Sequence, residues 1–250
     1  MNRNNPLRLM LALGIAAIFA QTAQAQDEQV ARMRAALASP ERAAENKARD
    51  ADRKPIESIQ FFDIETGDTV VELVAAGGWF TEVLSAAVGP TGKVYASNPP
   101  FLVQGEAEQA LHARLGNVQA VHAPLAEAGV VGVGDAALIA LNLHDVYNGY
   151  GGNPGGEAVA VGFLQSVFAA LKPGGVLGVI DHVGIAGQDN AALHRMLPQQ
   201  ARDALTKAGF TIEAESSMLA NPADDHTKIV FDPAVRGHTD QFVFRARKPE

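Results

Sequence analysis

From about residue 60 onward, short apolar runs alternate with stretches of helical periodicity. Runs of four to eight apolar residues bounded by turn residues read as buried strands, and apolar positions three and four apart read as one face of a helix. On that pattern Val70–Val74 is a first strand, entered from a Gly67-Asp68 turn, and Thr81–Val88 is a helix stopped by Gly89-Pro90. Lys93–Ala96, Val118–His122 and Ala136–Leu143 are further strands, the last apolar enough to be covered on both faces. Glu157–Leu171 is an amphipathic helix closed by Lys172-Pro173-Gly174-Gly175, before a strand over Val176–Ile180. Gln199–Ala208 is a helix ending at Gly209, and Phe210–Ser216 is the next strand. Phe242–Arg247 alternates apolar and basic residues, as a strand with one face near solvent does.

Strands alternating with helices predict a mostly parallel sheet covered on both faces. No helical pattern separates Ser216 from Phe242, so the last of the seven strands is expected to run antiparallel. Nothing divides this part of the chain, so residues 57–250 are read as one α/β domain. Residues 27–53 read as helix, split at Ser39-Pro40, and the charged stretch Arg49–Lys54 ends at Pro55 as a solvated helix end. Residues 26–56 are thus read as a helical extension.

The first residues change the picture. Arg3 and Arg8 precede the apolar run Leu9–Ala20, and Ala23-Gln24-Ala25 puts small residues where a signal peptidase reads. The run is shorter than the ~20 residues a bilayer span needs. Residues 1–25 therefore read as a cleavable secretory signal, and the chain as an exported, periplasmic or secreted protein, with no membrane contact after cleavage. The formal net charge is −8, and loss of Arg3 and Arg8 would take it to −10. Such an acidic chain is not expected to bind nucleic acid, which needs clustered bases. With no cysteine, the fold must be held by its core.

In a sheet of this kind ligands bind beyond the carboxyl ends of the strands. Those ends carry Glu72 and Gly77-Gly78, then Ser97-Asn98, then His144-Asp145, then Asp181-His182. Two His/Asp pairs suit proton transfer, the ring as base and the carboxylate as its orienting group. The same pairs, with His194, offer nitrogen and oxygen ligands, but no His-x-x-x-His spacing fixes a metal geometry and no metal is assigned. The glycine-rich stretch His144–Gly156, with Tyr147 and Tyr150, suits a lid over a small molecule. Asn221–Lys228 reads as a second loop on the acceptor side, with Arg236 available for an anionic group.

Val71–Glu82, an acid within a strand followed by a glycine turn, resembles the first motif of the class I S-adenosylmethionine (SAM) methyltransferases. Leu171–Leu177 is similar to the turn entering their fifth strand. Asp181-His182, Leu193-His194-Arg195, Ala208-Gly209-Phe210, Phe231-Asp232-Pro233, Arg236-Gly237 and Thr239–Phe242 resemble a group of often exported methyltransferases. The resemblance implies a Rossmann-like seven-stranded sheet and SAM as cofactor, held by Glu72, Gly77, Gly78 and Asn98. His144, Asp145, Asp181 and His182 would then face a small-molecule acceptor. The chain departs from that pattern where Val74, Ala75 and Ala76 stand for small turn residues, and where Asn98 stands for a ribose-binding acid. Two other readings are an exported binding protein on the same fold without SAM, and a metal-assisted hydrolase.

Overall fold

A computed structural model describes residues 6–150 and 152–250, with the side chains of residues 6–20 and of Thr22 outside the description. The start of the expected signal, including Arg3, and Gly151 of the glycine-rich stretch also lie outside it. The seven strands are β1 (Thr69–Leu73), β2 (Lys93–Ser97), β3 (Val118–Val121), β4 (Gly134–Ala140), β5 (Leu171–His182), β6 (Thr211–Ser216) and β7 (Gln241–Arg247). They form one sheet in the order β3-β2-β1-β4-β5-β7-β6. The first five are parallel; β7 lies antiparallel between β5 and β6. The strand pattern and the antiparallel last strand are those expected from the apolar runs.

The strand period of two sorts the core into two layers. Val71, Leu73, Ala137, Ile139, Leu177, Val179 and Phe244 face one side. There they meet Leu164 and Val167 of α8 (Glu157–Ala170) and Ala201, Ala204 and Leu205 of α9 (Pro198–Ala208). Val70, Ala136, Leu138, Val176, Ile180 and Val243 face the other, against Val83, Leu84 and Ala87 of α5 (Trp79–Val88) and Ile59 of α4 (Pro55–Phe61). Each Val, Leu, Ile or Phe among them, removed from water, contributes about 1.5–3 kcal/mol, and each Ala less.

At the N-terminal end α1 (Pro6–Ala38) runs through Ala23–Ala25 without a break. Residues 23–28 are exposed, and Gln29 is the first buried one among the described side chains, its Nε2 donating to the carbonyls of Ile64 and Ala87. Arg32 and Met33 continue that seam against α5. No described helix is long and apolar enough to cross a membrane.

Several local expectations are corrected. Ser39-Pro40 is a turn, and the helix resumes only as α2 (Ala44–Ala48) and α3 (Asp50–Arg53). Pro55 does not end the region: it opens α4, where proline's missing N–H and fixed φ are tolerated. β4 stops at Ala140, because Leu141 turns left-handed at φ 61. His144 and Asp145 then sit in α7 (Leu143–Asn148), not in a loop. The segment after β2 holds an unexpected helix, α6 (Glu106–Leu115).

Candidate functional site

The carboxyl ends of β1, β2, β4 and β5 open onto two adjoining cavities. The larger, about 630 Å³, is lined by Ser97–Leu102, His122–Pro124, His144, Asp145, Tyr150 and Phe163. The smaller, about 370 Å³, is lined by Arg49, Arg53, Glu72, Gly77, Trp79 and Arg236. Leu73, Val74, Ala76, Leu141, Asn142, His182 and Phe231 border both.

The wall between them is a strained turn. Val74 and Ala76 hold φ of 56° and 48°, a left-handed conformation that costs a side-chain-bearing residue about 1–2 kcal/mol, and a β-branched one the most. Leu141, which borders both cavities, is left-handed too at φ 61°, and so is His194 at φ 53°, whose ring packs on Tyr150 and Phe231 of the cavity wall. Strain gathered at one place persists only where the surroundings impose it, as they do at binding sites. Here Asn98 is part of the imposition, its Oδ1 accepting the Ala76 N–H at 2.7 Å, while Ala75 donates to the Ser97 carbonyl at 3.0 Å. Asn98 borders the larger cavity with its acceptor oxygen committed to the turn, which leaves its amide N–H₂ for a ligand. Gly77 lines the smaller cavity. Gly78 starts α5 at φ 79°, where a Cβ would strike the Leu111 side chain, so its part is to shape the turn.

Glu72 is 3% exposed, and Thr81 Oγ1 donates to its Oε2 at 2.6 Å. Burial pushes its carboxyl up to about 7, against the pull of the Thr81 hydroxyl and backbone N–H. Three arginines, Arg49, Arg53 and Arg236, line the same cavity. Arg53 stacks on Trp79 at 4.7 Å from the ring centroid. Burial and the charge of Arg49 hold Arg53 below the ordinary arginine range, and burial and Arg236 do the same to Arg49. Cations crowded at one cavity mouth are the electrostatics of an anion site. Sequence reasoning placed Arg49 and Arg53 on a solvated helix end; the Trp79 ring, on which Arg53 stacks, was the signal that could have drawn that stretch in.

His144 is almost fully buried. Its Nδ1 lies 2.6 Å from Asp181 Oδ1, its backbone N–H donates to Asp181 Oδ2 at 2.7 Å, and its Nε2 is 3.2 Å from Asp145 Oδ1. Burial alone would lower its pKa, but Asp181 and Asp145 outweigh that and raise it to about 10. Asp181, itself fully buried, is held below its ordinary value because the His144 charge and hydrogen bonds overcome desolvation. His182 goes the other way. Burial lowers it to about 3, despite Asp181, with the His144, Arg195 and Arg53 charges adding to the fall. Its Nδ1 lies 2.6 Å from Thr239 Oγ1. The four residues thus come together, but with opposite roles: a cationic His144 and a neutral His182, ring centroids 5.5 Å apart.

Asp145 also reaches His194 Nδ1 at 3.0 Å, and His194 stacks edge-on to Phe231 and Tyr150. The glycine-rich stretch is held in a compact turn. Gly156 donates to the Tyr147 carbonyl at 2.5 Å, and Gly155 packs on the Asn148 backbone so closely that a Cβ would collide. The second loop is anchored by Arg195, whose Nη1 and Nη2 donate to the two Asp224 oxygens at 2.8 and 3.1 Å, both side chains 0% exposed.

No protein-family model matches the chain, and no curated protein matches it in sequence. Its structure is similar to a SAM dependent methyltransferase from Aquifex aeolicus, 17% identical, with a TM-score of 0.54 over 80% of this chain and 98% of that one. It is similar also to the [4+2]-cyclase SpnF, 20% identical, with a TM-score of 0.56 over 80% and 81% of the two chains. A possible exported protein from Bordetella parapertussis, 16% identical, aligns over 81% and 68% at a TM-score of 0.51. At these identities the likeness establishes architecture: the chain has the Rossmann-like fold of the class I SAM-dependent methyltransferases.

Proposed function

We propose that the protein is an exported SAM-dependent methyltransferase acting on a small molecule. The observation that carries this reading is the pair of cavities meeting at the Val74–Ala76 turn, at the strand ends where this fold binds its ligands. The residues present suit SAM. Arg49 and Arg53 face the smaller cavity with charge for a carboxylate, and Asn98 offers its amide to a ribose at the larger one. Gly77 leaves the backbone open at the turn, and Glu72 lines the same cavity as the arginines.

SAM brings its own activated methyl group, so the chain has mainly to align the acceptor and keep water out. Phe101, Tyr150 and Phe163 give the larger cavity an apolar wall. His182 lies at the junction of the cavities, neutral and fixed through Thr239, so its ring can hydrogen-bond the acceptor and position it without taking up a proton. His144, kept cationic by Asp181 and Asp145, supplies positive charge for an acceptor oxygen.

Export is supported by the sequence of residues 1–25 and by the exposure of residues 23–28. Cleavage after Ala25 would remove none of the contacts that begin at Gln29. The alternative, a pocket that binds a small molecule without methyl transfer, draws on Asn98 in place of an acid and on the similarity to SpnF, described as a cyclase. Calorimetric titration with SAM and S-adenosylhomocysteine decides between them. Micromolar binding, about −8 kcal/mol, is expected, and Arg53→Ala should weaken it about 10- to 100-fold by removing a charge-assisted contact. No heat from either compound with folded protein would overturn the methyltransferase reading.

A further inference from the structure

We propose that His144, Asp145 and His194 bind a first-row transition-metal dication at the wall of the larger cavity, whether or not the chain uses SAM. The three residues come from two distant segments, α7 and the stretch between β5 and α9, and their ligand atoms lie within 4.8 Å of one another. Asp145 Oδ1 is 3.2 Å from His144 Nε2 and 3.0 Å from His194 Nδ1. Ligands set about 2.0–2.1 Å from a tetrahedral ion stand about 3.3 Å apart, so two edges of the polyhedron are nearly in place.

What lies behind these atoms points the same way. His144 turns its other nitrogen to Asp181, and the second oxygen of that carboxylate takes the His144 backbone N–H. The ring is locked with Nε2 forward, the carboxylate–histidine arrangement that orients and strengthens a metal ligand, and the ion would take the place of the Nε2 proton that His144 carries without it. His194 is brought to the same point from a left-handed backbone, next to Arg195, which is 0% exposed and anchored to Asp224. A strained residue between rigid anchors is a placed residue.

Two imidazole nitrogens and one carboxylate oxygen suit zinc, cobalt or iron(II), and suit magnesium or calcium poorly, since those prefer oxygen. His144 and Asp145 line the cavity, so further coordination positions would open to its contents. The ion would there take an oxygen or nitrogen donor of the bound small molecule, drawing in anionic or hydroxyl-bearing compounds.

The test is titration of the chelator-stripped, full-length protein with Co²⁺, read by visible ligand-field absorption. One equivalent of Co²⁺ should saturate the signal, Zn²⁺ should displace it, and millimolar Mg²⁺ should not. His194→Ala and Asp145→Asn should each weaken binding at least about 100-fold, and Asp181→Asn about 10- to 100-fold. Circular dichroism checks that each variant is folded; should one fail, the other still reads the site. No signal in the native protein would overturn the proposal, as would an unchanged titration in the folded variants.

Discussion

Glu72 offers a quantitative test of how the site is built. The residue is 3% exposed, and its carboxyl is raised from 4.5 to about 7, chiefly by desolvation. An acid whose folded pKa lies above its unfolded one holds its proton better in the native state. Stability is then greatest below the unfolded pKa and falls as pH rises from 4.5 through about 7. At about 1.4 kcal/mol for each tenfold in proton affinity, the ionised group costs the fold about 3 kcal/mol at pH 8 and under about 1 kcal/mol at pH 5. Glu72→Gln keeps an acceptor for the Thr81 hydroxyl and removes the ionisation. Urea unfolding of both proteins at the two pH values isolates the effect, because the other titrating groups cancel in the comparison. The stability of the Gln variant relative to native protein should rise by about 2.5 kcal/mol between pH 5 and pH 8. A difference that stays constant within about 0.5 kcal/mol would refute a desolvated Glu72.

Two further outcomes follow from geometry. Ala76→Gly removes left-handed strain of about 1–2 kcal/mol and adds about 0.5–1 kcal/mol of unfolded-chain entropy. It should therefore leave urea stability unchanged or raise it by up to about 1.5 kcal/mol, with SAM affinity at least equal by calorimetry. Asp224→Asn leaves the fully buried Arg195 charge without its carboxylate and should lower stability by about 3 kcal/mol in the same assay.

The sheet was legible because buried strands are written as apolar runs, and the antiparallel β7 because no helix is written between Ser216 and Phe242. The helix α6 was not, because Glu108 is its only buried residue and it shows no apolar stripe. α7 was hidden because Leu143 extends the apolar run of β4, and the break is made by the backbone at Leu141. At the site, polar residues at strand ends could be read one by one. Their relations could not. Arg49 meets Arg236 across 187 positions of chain, and His194 reaches Asp145 through a turn whose φ no residue type announces. Asn98 was read as a ligand contact, but its oxygen props a turn 22 positions away.

The placement of β7 has a consequence for how the chain acquires its shape. β6 touches the sheet only through β7, which follows it in sequence and pairs with β5 over Val176–His182 on its other side. During synthesis or passage through a pore, β6 therefore has no partner until Gln241–Arg247 has emerged, and β5 keeps an open hydrogen-bonding edge. Loss of those seven residues would remove β7 and leave β6 unpaired as well. Closure of the sheet is thus a late, long-range event, and the interval before it is when the exposed β5 edge is most open to pairing with another chain.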